Sequence, residues 1–135
     1  MAPTVSLLRA RSYAIDQVRT CLVDLLAPLG GIESVVKPGD RVLLKPNLLT
    51  GARPTKECVT RPEIVYCVAE LVKAAGGDPF LGDSPAFGSA HGVAKACGYL
   101  PWMEKAAIPI RELHGKRYAT AAEGELAHLL LSKEV

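Results

Sequence analysis

The sequence predicts an α/β fold: three layers, with an open, mostly parallel sheet and helices on both of its faces. Short apolar runs alternate along the chain with stretches of helical spacing. Glycine pairs and a proline turn separate the two kinds of segment, at Gly30-Gly31, Pro38-Gly39 and Gly76-Gly77. The connections are long enough for crossover helices between parallel strands.

Taken in order, residues 4–10 ("TVSLLRA") read as a short strand. Ser12 is a plausible N-cap, and Ile15, Val18, Leu22, Leu25, Leu26 and Leu29 then recur at helical spacing until Gly30-Gly31. "KPGD" (37–40) is a tight turn with proline at its first central position, and it feeds a strand over 41–45. Thr60 and Glu63 have capping-box spacing around Pro62 and open a second helix, carried by Ile64, Val65, Val68, Leu71, Val72 and Ala75 to Gly76-Gly77. A third strand follows at 79–83. Ser89 caps a helix that Gly98 closes, "IPIREL" (108–113) is a fourth strand and "LAHLLLS" (126–132) a fifth. Residues 1–135 thus form one α/β domain. A parallel sheet is covered on both faces, and about three helices are visible before the chain stops on an apolar run. The expectation is the N-terminal half of a longer domain.

Composition narrows the function. The formal net charge is only +2, without the basic, aromatic-studded stripe of a nucleic-acid binder. No apolar run approaches the roughly 20 residues that span a bilayer. Arg9 and Arg11 break the N-terminal apolar patch, so it is no secretory signal. A soluble cytoplasmic protein with neither nucleic-acid nor membrane partners is expected. Cys21, Cys58, Cys67 and Cys97 lie too far apart in sequence for zinc or ferredoxin-type spacing. They are expected to be unlinked thiols, with no metal or cofactor held by this chain alone. His91, His114 and His128 each stand alone, and "HGKR" (114–117) reads as a solvated turn.

The chemistry concentrates in two loops. "KPNLLTG" follows the carboxyl end of one predicted strand and "GDSPAFGSA" that of another, so both should emerge on one rim of a parallel sheet, where α/β proteins bind ligands. Lys45 supplies an ammonium there, Asn47 a donor and an acceptor, Asp83 a carboxylate base or metal ligand, and Ser84 a hydroxyl. Ser89 opens a helix whose first N–H groups suit an anion. The same residues are good turn formers: Pro46 ends strands, and Asp-Ser-Pro caps loops. Neither loop matches a GxxxxGK[ST] or GxGxxG phosphate formula.

"VLLKPNLL", "VTRPEIVYCVAELVKAAGG", "LGDSPAFG" and "CGY", in that order, resemble the N-terminal part of the family known as domain of unknown function 362, over roughly residues 38–100. The resemblance implies a prokaryotic cytoplasmic protein. Several members are described as iron–sulfur proteins, because a ferredoxin-like segment with clustered cysteines follows downstream. The family's later Pro-Lys-x-Lys-Thr-His-type motif is absent from these 135 residues. A 4Fe-4S cluster would therefore need segments beyond this sequence, and the resemblance supplies no reaction.

Three readings follow: a domain binding a small anionic molecule through Lys45, Asn47, Asp83, Ser84 and Ser89; an iron–sulfur-linked redox accessory protein whose ligands lie elsewhere; and a non-catalytic structural module. The apolar run at 126–132, exposed if nothing follows it, predicts a two-fold homodimer.

Overall fold

The computed structural model describes residues 4–49, 51, 59–113, 117–120 and 128–131. Its elements run α1 (Ile15–Leu26), β1 (Arg41–Leu44), α2 (Pro62–Ala74), β2 (Asp78–Asp83), α3 (Ala90–Ala96), α4 (Leu100–Lys105), β3 (Ile110–Glu112), β4 (Arg117–Thr120) and β5 (His128–Leu131). Strands β1, β2 and β3 form an open parallel sheet in that order, with Leu44 beside Leu81 and Asp83 beside Glu112. This is the α/β class the sequence predicts.

Alternation along the strands sorts their side chains. Val42, Leu44, Leu81 and Ile110 join one apolar cluster with Val65, Ala69 and Val72 of α2, Val93 and Ala94 of α3, and Met103 of α4. The helices that connect the strands therefore share that face. On the other face Phe80 is buried, with the guanidinium groups of Arg41 and Arg111 lying 5.3 and 5.1 Å from its ring centre. Gly82, beside Arg111 in the ladder, faces the same side, where a Cβ would come 3.0 Å from Leu113 and 3.1 Å from Leu43. A side chain at that position would press on both leucines and, at 3.2 Å, on the Arg111 carbonyl.

Helix boundaries follow local chemistry. Gly30 (φ 94°) and Gly76 (φ 85°) take the left-handed conformation after α1 and α2, where side chains are strained. Pro62 opens α2, at a position whose missing N–H leaves no bond unmade. The expected capping box does not form: Arg61 takes the N-cap position without a side-chain cap. Thr60 is held instead through its carbonyl, which accepts from the Tyr99 hydroxyl, and Arg61 stacks 4.2 Å over the Tyr13 ring. Tyr99 is fully buried, and that burial pushes its phenol pKa up. With Pro62 as the first helical residue, Thr60 lies one position too early to cap.

Two further expectations are corrected. Residues 4–10 are not a strand: they pair with no described strand, and Val5 and Leu7 are 85% and 90% exposed. A strand needs a neighbour to bond to, and propensity alone does not provide one. The run at 126–132 does contain a strand, β5, but it pairs antiparallel with β4 in a separate two-stranded sheet. Arg117, read as part of a turn, begins β4. The rest of "HGKR", and Cys58, lie outside the described residues.

Candidate functional site

The strand β1 leads into Lys45-Pro46-Asn47-Leu48, and β2 closes on Asp83 and leads into Ser84, at the same carboxyl end of the parallel sheet. Asp83 ties the two loops together. One carboxylate oxygen pairs with Lys45 Nζ at 2.8 Å, and the other accepts the Leu48 backbone N–H at 2.7 Å. The Ser84 N–H adds a further bond. Burial by itself would raise the Asp83 pKa. The Lys45 hydrogen bond, the two backbone amides and the Lys45 charge outweigh it and hold the carboxyl below its ordinary value.

Lysine, proline and leucine in the β1 loop divide the work. Leu48 is fully buried and Pro46 buried, so the loop is anchored into the core from both sides of Asn47. Asn47 itself stands exposed, as does Ser84. The Lys45 side chain is 50% exposed while its partner Asp83 is 8% exposed. The result is a fixed ammonium at the rim with N–H donors left over for a visitor. A small cavity of about 180 Å³ opens beside it, lined by Leu44, Lys45, Pro46, Thr60 and Val65 among others.

Ser89 is placed differently. Its hydroxyl accepts the Gly92 N–H at 3.0 Å, as an N-cap should. Glu112, which the sequence reading did not single out, supplies the rest of the cap: its two oxygens accept from the Ala90 and His91 N–H groups at 2.9 and 3.3 Å. The anion at the start of α3 is thus this chain's own carboxylate, placed there because Glu112 ends β3 in register with Asp83. The available signal was an acidic residue closing a strand beside a second acidic strand end.

The described cysteines do not fit an iron–sulfur cluster. Cys67 and Cys97 are buried, Cys21 is half-buried, and no three His, Cys, Asp or Glu side chains gather as metal ligands among the described residues. Cys67 Sγ points to the Ile15 carbonyl at 3.7 Å, and burial pushes its thiol pKa up, away from the thiolate a cluster needs.

An open parallel sheet with paired strand-end loops is the class of protein this geometry defines, and residues 42–135 match the sequence model of the Domain of unknown function (DUF362) family. The chain belongs to that family. It is 60% identical over 134 residues to the thylakoid-associated protein sll1697 of Synechocystis sp., a match covering 99% of this chain and 41% of that protein. The chain therefore spans about two fifths of the length of this curated relative. No solved structure matches it. Among the described residues no helix is long and apolar enough to cross a membrane.

Proposed function

We propose that this domain binds a small anionic molecule, a carboxylate or phosphate, at the rim formed by Lys45, Asn47 and Ser84, with Asp83 as the buried brace. The supporting observation is the Lys45 ammonium, pinned 2.8 Å from Asp83 yet half open to solvent. An ordered cation loses less side-chain entropy on meeting an anion than a free lysine does. Its charge is already paired, so affinity from this group alone is modest. Ser89, exposed at the start of α3, accepts the Gly92 N–H and keeps its own O–H to donate to the same ligand. The cytoplasmic location expected from the sequence is retained in this proposal. The Synechocystis relative is by name a thylakoid-associated protein.

The internal use of every Asp83 and Ser89 oxygen favours a second reading, in which these loops only build structure. Thermal-shift titration with phosphate, acetate and succinate separates the two. A ligand specific to the folded state raises the melting temperature with concentration. Stabilisation that disappears in Lys45→Ala supports the site. Stabilisation that survives in Lys45→Ala, or none with any anion, leaves the structural reading.

A further inference from the structure

The strand β1 is an outer strand: β2 pairs with it on one side, and no described strand pairs with it on the other. The direction of its peptide groups follows from the ladder. The Asp40 carbonyl accepts the Asp78 N–H at 2.7 Å. Alternate residues of a strand turn their N–H and C=O to alternate sides. Residues 40, 42 and 44 therefore address β2, while Arg41 and Leu43 turn both groups toward the open edge.

That edge borders an apolar groove of about 430 Å³, lined by Ile32, Val35, Val42, Leu44, Val68 and Val72 among others. Val35 is 73% exposed on its wall. Ile32 also borders a neighbouring cavity with Val23 and Leu26 of α1 and Leu71 of α2. Helix α1 packs on α2. Bare backbone donors and acceptors beside an apolar trough are what an added strand requires.

We infer that the free edge of β1 receives a strand from the remainder of the family-length polypeptide. Its occupant is an extended segment with apolar side chains facing the groove, bonded to the outward peptide groups of Arg41 and Leu43. The length comparison selects this occupant. A relative that carries almost all of this chain at 60% identity has more than half of its own polypeptide outside the match. This inference is independent of the rim proposal.

Amide hydrogen exchange, resolved residue by residue by NMR, tests it in the 135-residue chain and in the intact Synechocystis relative. The Arg41 and Leu43 amides should exchange rapidly in the first. Their counterparts should exchange on the order of 100-fold more slowly in the second, independently of concentration. Equal, fast exchange in the relative would overturn the inference. Slow exchange in the monomeric 135-residue chain would also do so, because cover would then come from within, residues 4–10 included. Protection that grows with concentration, in either protein, alongside dimers in light scattering would assign the edge to a second copy instead.

Discussion

Asp83 meets two partners of unequal worth. The Lys45 ammonium is half exposed, and ion pairs in that setting contribute under about 1 kcal/mol. The Leu48 N–H is buried, and a buried donor stripped of its acceptor costs about 1–3 kcal/mol. Asp83→Ala should therefore lower stability by about 2–3 kcal/mol, and Lys45→Ala by under about 1 kcal/mol, since Asp83 then keeps its amide donors. Urea unfolding monitored by Trp102 fluorescence measures both. Equal losses would mean that the ion pair, and not the loop anchor, governs the rim. In the sequence Asp83 could be read as base, ligand or turn former; residues remote from it, Lys45 and Leu48, made it a brace.

At the scale of the element, α3 shows how a short helix is held at its start. Seven residues give little intrinsic helicity, so the cap matters. Ser89 satisfies one N–H and Glu112 two more from another strand. Ser89→Ala should cost about 1 kcal/mol, and Ser89→Asp should restore most of it. The urea midpoint should shift with an unchanged slope. The Ser89 half of this cap was legible, because N-cap preference is local. The Glu112 half was not, because 22 residues and a strand pairing separate donor from acceptor. The Thr60-x-x-Glu63 formula failed by register: α2 begins at Pro62 with Arg61 at the N-cap, so Thr60 stands one residue outside the position from which its hydroxyl could cap.

For the molecule as a whole, the Asp83 brace couples folding to pH. Its folded pKa lies below the ordinary carboxylate value of about 3.9, so its stabilisation is present above that value and is lost as pH falls through the folded pKa. The stability gap between the parent chain and Asp83→Asn should be flat above about pH 5 and shrink below about pH 4. Urea midpoints measured from pH 3 to 7 check this. A gap independent of pH would mean that the Asp83 charge carries none of the stability. The two-fold association through residues 126–132 expected from the sequence stays a proposal.

Elements whose signals lie within a few residues were legible from the chain alone. The periodicity of α1 and α2, the glycines that end them, the Ser89 cap and the carboxyl ends of β1 and β2 all belong here. Together they placed Lys45 and Asp83 on one rim of a parallel sheet. Features that need a distant partner were settled only by the tertiary fold. Residues 4–10 have strand composition but no neighbour to bond to. Residues 128–131 have one, but in a second sheet with β4, of which only Arg117 is read from the sequence, as the end of a turn. The carboxylates of Asp83 and Glu112 look alike in sequence, yet each is spent on the amides that folding brings within reach. Local propensity chooses a conformation for a segment; hydrogen bonds and burial across tens of residues decide whether that conformation has a partner.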